Sequence, residues 1–426
     1  MHRSWEVFQK TFWLLGLVAF GPAYRSLSDK LWMLRGNLET VGYWAQIQGL
    51  SELVFAPAQA GIGVGLTIMA ARSDERRAAP LLLGASLLGG LTALPLMLGL
   101  GLKADWLRQE VGLPSHLNNL VELGLVNGGL LIPMLLLVAY WAGTGQRKAA
   151  LLLLVSFSSP TCLTLALDQT EGLRGLQHVL FAGTLTSLMV NAGLLVLGCL
   201  AFARGEISGP SVRDAVRRLS PYLMAGLTIG LASPTSGLLI RKALALMSSW
   251  EMAGAVTALW RISDWVFGCA SGILFNFYLP RLAARFAGGT LLDPLGQMFR
   301  AVWLPSVLIL GLAIVFREPV YDALYSDSLR VGLVPAALFW SGDAMRILST
   351  IGLIGLFSLE AGTLISVGEF LSQPLLAGLF WMGAARSLEW AGAAHLLTYC
   401  IYAGFNGLGL VWVSLRLRRD ASRARD

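Results

Sequence analysis

Charge is scarce in this sequence. Only 13% of its 426 residues are Asp, Glu, Lys or Arg, roughly half the ~25% of a soluble domain, and so low a share excludes a water-soluble globular enzyme. Cysteine is scarce too. Cys162, Cys199, Cys269 and Cys400 all stand in apolar surroundings and match no disulfide or zinc spacing, which leaves them as small buried hydrophobes. With only four histidines and no ligand spacing, neither a metal nor another cofactor is expected. No segment shows the ten-residue alternation of an outer-membrane barrel. No polar connection exceeds roughly 15 residues, too short to fold as a domain of its own. The formal charge of +7 does not point to nucleic acid, because its excess sits in loops and in the tail beginning Arg416-Leu-Arg-Arg419, where topology and anionic lipid account for it.

What is abundant is apolar chain. Hydrophobic residues make up 55% and the mean hydropathy is +0.65. Twelve apolar stretches fall at 9–27, 41–70, 79–102, 118–142, 149–167, 177–203, 219–245, 250–280, 297–316, 331–357, 361–383 and 389–415, each near the ~20 residues a bilayer span needs. The expected class is an all-α polytopic membrane protein of twelve transmembrane helices. The first stretch lacks a clear cleavage motif and reads as a retained helix. The 14 tryptophans suit interfacial belts. If the N-terminus is cytoplasmic, the cytoplasmic segments hold twice as many Lys and Arg as the opposite side, so both termini are expected inside.

The second half repeats the first. Ser51-Glu-Leu-Val-Phe-Ala-Pro-Ala58 aligns with Ser263-Asp-Trp-Val-Phe-Gly-Cys-Ala270 at an offset of 212, Ala70-Ala-Arg72 with Ala283-Ala-Arg285 at 213, and Gly128 with Gly342 and Pro160 with Pro374 at 214. Each match joins helix n to helix n+6, which preserves direction and predicts parallel repeats about an axis along the membrane normal. The expected organisation is a six-helix bundle over 1–204, a cytoplasmic linker at 205–218, a second six-helix bundle over 219–415 and a basic cytoplasmic tail at 416–426. Two pseudo-symmetric bundles around a central cavity predict a transporter.

Ionisable groups at bilayer depth are costly and mark function by default. The carboxylates are Glu52, Asp264, Asp343 and Glu369, and the bases with them are Arg261 and Arg346. At ~1.5 Å per residue, Glu52, Asp264 and Asp343 fall roughly 17–21 Å from their helix starts, near the middle of a ~30 Å core. Glu369 falls at about 12 Å by the same rise. Arg261/Asp264 and Asp343/Arg346 are i,i+3 pairs. They read either as self-neutralised struts or as a polar cavity whose arginines take an anionic headgroup while the carboxylates position them or titrate. Arg241 and Lys242, near the outer end of helix seven, read equally as snorkelling bases or ligands. Glu122 reads as interfacial, His178 and His395 as packed. Asn127, Ser341, Gln373 and Asn276 are the polar candidates for the cavity wall.

Arg241-Lys242, Ser249-Trp250-Glu251, Trp260 and Ile262-Ser-Asp264, then Gly342-Asp343 with a base three residues on, then Glu369 and Gln373, resemble helices seven, eight, ten and eleven of the Wzx-type polysaccharide flippases. These belong to the multidrug/oligosaccharidyl-lipid/polysaccharide (MOP) exporter superfamily, and the likeness is greatest to its enterobacterial common antigen lipid III branch. It spans the chain by helix count but is concentrated in Ile240–Phe286 and Phe339–Phe380. In helix two, where the family carries a base, Gln46 or Gln48 stands here. The resemblance implies two six-helix bundles alternating between inward- and outward-facing forms in the bacterial inner membrane. It implies a substrate of undecaprenyl pyrophosphate bearing a short oligosaccharide, in O-antigen, lipopolysaccharide or common-antigen assembly. A polymerase and a chain-length regulator are the implied protein partners, with no nucleic acid. The competing classes are a drug/cation antiporter of the same superfamily, a membrane-embedded polymerase or glycosyltransferase, and a major-facilitator transporter. The first is disfavoured by the neighbouring arginines, the second by short external connections, and the third by a helix 2–3 connection without glycine framing.

Overall fold

The computed structural model describes residues 2–35, 37–72, 78–113, 118–167, 173–204, 209–279, 281–282, 292–325 and 329–423. Among these residues there is no strand. The repeat match at Ala283–Arg285, most of the basic connection after helix two and the first part of the expected linker lie outside them.

The helices are α1 His2–Arg35, α2 Leu38–Pro57, α3 Val64–Arg72, α4 Ala78–Gly101, α5 Ala104–Glu110, α6 Asn118–Gly143, α7 Arg147–Leu167, α8 Leu173–Ala203, α9 Gly209–Met247, α10 Trp250–Ile273, α11 Leu292–Met298, α12 Leu304–Val315, α13 Arg317–Tyr325, α14 Leu333–Ser358, α15 Gly362–Trp381 and α16 Leu388–Arg423. Three π-helical segments, Ala58–Gly63, Leu274–Tyr278 and Phe299–Trp303, join α2 to α3, extend α10 and join α11 to α12. Counting each joined run once and leaving aside the short α5 and α13, the described residues form twelve long rods, one on each expected stretch.

Eight of these rods are long and apolar enough to cross a membrane by length and composition, and the bent α9 makes up to nine. The three outside that set are α1, α10 and α14. They are also the rods that carry the paired charges of the interior, and their neighbours shield those charges from lipid.

Rod ends run past the apolar stretches. α1 reaches Arg35 and α9 already starts at Gly209, so residues 209–218 of the expected linker are helical. α16 continues through the basic tail to Arg423.

The duplication is visible in how the second helix of each half begins. Asn37 caps α2, its side-chain oxygen accepting from the Thr40 amide at 3.0 Å. Ser249, 212 residues on, caps α10 by accepting from Met252 at 3.1 Å. Each cap satisfies an orphan amide of the first turn, and Glu39 and Glu251 sit in those first turns, where the helix dipole favours a carboxylate. A π segment then follows in the second half of each rod, where the extra residue per turn offsets the side-chain register.

The apolar core falls into two large clusters. One is built from residues of 32–180 together with Ala215, Leu219 and Leu238 of α9; the other takes residues of 240–410 together with Ile68. α9 therefore serves both halves, its first part packing with the N-terminal cluster and its end with the C-terminal one. The contact is close enough that a Cβ on Gly230 would overlap the backbone at Pro57 and one on Gly226 the backbone of Gly61.

Candidate substrate cavity and its ion network

A cavity of about 700 Å³ lies between the two halves. Its wall on α6 runs from Asn127 to Ala139, on α10 and its π extension from Phe267 to Leu279, and on α14 from Arg346 to Phe357. These walls run from the middle of each helix toward its C-terminal end, the end of the bundle where α1 begins and α16 finishes. At the opposite end the halves are joined. The rings of Tyr43 and Trp250 lie 4.7 Å apart, Lys242 Nζ meets Glu110 Oε2 at 3.0 Å, and Lys30 Nζ donates to the Ala323 carbonyl at 3.0 Å. The buried Gln46 donates to the carbonyls of Val111 at 2.7 Å and Leu238 at 3.2 Å, and accepts from Arg241 Nε at 2.7 Å. The cavity is thus shut at one end and lined toward the other.

The charges of the interior form one continuous chain. Arg261 Nε donates to Asp29 Oδ2 at 2.9 Å, and its Nη2 donates to Gln48 Oε1 at 2.5 Å. Arg261 Nη1 lies 3.8 Å from Asp264. Asp264 accepts from Arg346 Nη1 at 3.3 Å, and Arg346 Nη1 also lies 3.7 Å from Asp343. His395 Nε2 closes the series, 3.3 Å from Asp343. Alternating sign along α1, α10 and α14 keeps each buried charge beside its opposite, the condition under which ions persist away from water. Both i,i+3 pairs are present, but in each the shorter contact is to another helix, so the pairs tie helices together rather than neutralise themselves.

The expected site residues divide between wall and interior. Arg346, Glu52 and Glu369 line the cavity. Arg261 and Asp343 are buried beside it, and Asp264 stands between the two arginines. Arg241 and Lys242 are brought together elsewhere, at the closed end. Asn127, Asn276 and Gln373 line the cavity, whereas Ser341 is exposed and not on that wall. Glu122 is exposed, in keeping with an interfacial position.

Four participants were not singled out from sequence. Arg25 donates to Glu52 at 2.6 Å, the two side chains remaining 38% and 30% exposed on the cavity wall. Asp29, fully buried, anchors Arg261. Arg25 ends the first apolar stretch and Asp29 lies beyond it, so both resemble interfacial residues until the length of α1 is known. Tyr399 and Tyr402 complete the wall on α16; spaced by three in an apolar run, they carry no signal apart from their neighbours. Arg25 thus sets a base beside Glu52 of α2. Arg346 lies with its guanidinium carbon 3.7 Å from the centroid of the Phe267 ring, a cation–π contact made by its face while Nη1 on its edge meets Asp264 and Asp343.

No family model and no curated protein matches this chain. Solved structures do. A mutant of the Vibrio cholerae MATE transporter VcmN superposes with a TM-score of 0.68 at 16% identity, covering 97% of this chain and 96% of that one. An outward-facing multidrug resistance MATE transporter of the MOP superfamily gives 0.64 at 14% identity, over 96% and 94%. A MOP superfamily transporter from Pyrococcus furiosus, described as having a binding pocket of reverse polarity that suggests a different function, gives 0.64 at 10% identity, over 94% and 95%. The chain shares the fold of these transporters over 94–97% of its length.

Proposed function

We propose that this chain is a lipid-linked oligosaccharide flippase. Its substrate is an undecaprenyl-pyrophosphate-linked oligosaccharide of the lipid III or O-antigen type, carried from the cytoplasmic to the periplasmic leaflet of the bacterial inner membrane by alternating access, with both chain termini in the cytoplasm. The carrying observation is that Arg346 and Arg25 present partly exposed guanidinium groups on the cavity wall. A pyrophosphate concentrates several negative charges and is best met by planar, multiply donating cations. Each wall arginine is held by a carboxylate that keeps it soluble in the protein while the cavity is empty and gives way when phosphate oxygens compete. Asn127, Asn276 and Gln373 offer hydrogen bonds to sugar hydroxyls on the same wall. The polyprenyl tail needs no pocket, since it can remain in the bilayer beside the cavity. That one MOP superfamily transporter is described with a pocket of reverse polarity supports the idea that this fold accepts ligands of either sign. Other polysaccharide-assembly proteins, a polymerase and a chain-length regulator, are the partners this role requires.

A cation antiporter is the reading favoured by one observation, the wall carboxylate Glu369, whose side-chain hydrogen bond is to Tyr402 rather than to a base. Complementation separates the two. Wild type is expected to restore surface polysaccharide to a flippase-null strain, Arg25→Ala and Arg346→Ala to fail at equal membrane abundance, and Arg346→Lys to recover only part. Resistance to cationic drugs without restored polysaccharide would instead establish the antiporter. Normal export by both alanine variants would show that the arginines are struts.

A further inference from the structure

Five carboxylates occupy the middle of the bundle, and four of them have a cationic partner within ion-pair distance. Asp29 has Arg261 at 2.9 Å, Glu52 has Arg25 at 2.6 Å, Asp264 has Arg346 at 3.3 Å, and Asp343 has Arg346 at 3.7 Å beside His395. Glu369 stands apart. Its carboxylate accepts from the Tyr402 hydroxyl at 2.5 Å and, among the described residues, has no ion pair.

Every helix packed on α15 at this level is neutral toward it except at one point. α16 offers Tyr402 and Tyr399. α9 offers Thr228, which reaches α15 through Ser366 at 3.2 Å. α14 offers Arg346, on the same cavity wall as Glu369 though, among the described residues, not in an ion pair with it. Glu369 and Arg346 both line the cavity, so an anion held by Arg346 sits in the field of Glu369.

We infer that Glu369 is a proton-linked control on the anion site. Anion binding at Arg346 and protonation of Glu369 each favour the other, so the protein takes up a proton as it takes the headgroup. The inference rests on the arginine-lined reading of the cavity and names the regulation of that site. Its physics is that of like charges. An ionised Glu369 repels a phosphate arriving at Arg346 and competes with it for the guanidinium, and a neutral one does neither. Linkage then requires the reverse effect: a bound phosphate makes the proton harder to remove. The paired carboxylates differ in geometry, because each already has a base within ion-pair distance. Glu369 is bonded only by a phenol, which can donate to the carboxylate or accept from the acid, so both forms are satisfied in place.

The test uses full-length protein in nanodiscs with inorganic pyrophosphate as the probe, following the fluorescence of Trp44 and the other tryptophans. Binding is measured from acidic to mildly alkaline pH for wild type and for Glu369→Gln. The probe's own protonation is common to both and cancels in their ratio. Wild type is expected to weaken relative to Glu369→Gln as pH rises, by up to about tenfold per pH unit, the limit for one linked proton. Proton uptake by wild type in weakly buffered solution is the second measurement and needs no variant to fold. It should exceed the uptake accounted for by pyrophosphate alone. Pyrophosphate binding with a pH course identical in the two proteins, or with no additional proton taken up, overturns the role of Glu369 and leaves the arginine site intact. Absence of pyrophosphate binding by wild type at any pH overturns the arginine site, and this inference with it.

Discussion

Asp29 shows how much one side chain can hold in a membrane interior. It is fully buried, and its contact with Arg261 is the shortest in the ion chain that continues to Asp264, Arg346 and Asp343. Removing one partner of a buried pair leaves the other charge uncompensated, a loss of about 3–5 kcal/mol. Asp29→Ala is therefore expected to lower the melting temperature of the purified protein markedly. Asp29→Asn combined with Arg261→Gln should recover much of that loss, because no bare charge remains. Thermal unfolding in detergent, followed by tryptophan fluorescence, measures both. An additive double variant would mean that the two residues stabilise the fold separately. Arg25 and Glu52 are the contrasting case. Their exposure on the cavity wall places them in water, where ion pairs contribute little stability, so alanine at either site should leave the melting temperature nearly unchanged while affecting transport.

The helices that carry these residues are positioned by caps, small residues and irregular turns rather than by length alone. α2 is clasped at both ends. At its start a Cβ on Gly254 of α10 would run into the Leu38 carbonyl; further along, Gly226 and Gly230 of α9 admit the backbone around Pro57 and Gly61. Small residues that allow backbones to touch are the usual means of helix association in lipid, where apolar burial by itself gives no drive. Gly254→Val is expected to separate α2 from α10 at the closed end and expose Tyr43 to solvent. A cysteine placed at Tyr43, in a background without the four native cysteines, should react with a membrane-impermeant maleimide several times faster in the Gly254→Val protein. Equal rates would show that α2 and α10 do not close that end. The π segments in the second helix of each half lie where these rods form the cavity wall, and Phe267, Phe275 and Asn276 reach the lumen around the one in α10.

At the scale of the molecule, alternating access requires the closed end to part. Lys242 with Glu110, Arg241 with Gln46 and Tyr43 with Trp250 are the contacts that must break, and each joins an element of the first half to one of the second. Cysteines at Glu110 and Lys242, bridged by a short thiol-reactive cross-linker, are expected to abolish polysaccharide export, and cleavage of the linker by reductant to restore it. Export that persists with the bridge in place would require a route that does not open this end. The solved structures it resembles share the fold over nearly the whole chain at 10–16% identity. The architecture is therefore set by hydropathy, helix length and close packing, which many sequences can meet.

Twelve apolar stretches and the duplication at an offset near 213 follow from residue type and spacing alone, and Glu52, Asp264, Asp343 and Glu369 stand out there as charges within apolar runs. Hydropathy reports a span wherever it lies, and helical rise converts position into depth. The same reasoning could identify Arg261 and Arg346 as interior charges but not their partners. Asp29 and Gln48 meet Arg261 from helices α1 and α2, more than two hundred residues away in the chain, and His395 reaches Asp343 from α16. Hydropathy also cut α1 short at its polar end, leaving Asp29 outside the stretch and Arg25 at its margin. The division of the charges into a wet wall and a sealed interior depends on which faces of α1, α10 and α14 turn toward one another. Spacing along a single helix constrains that rotation only to within its own paired residues; the packing of its neighbours decides the rest.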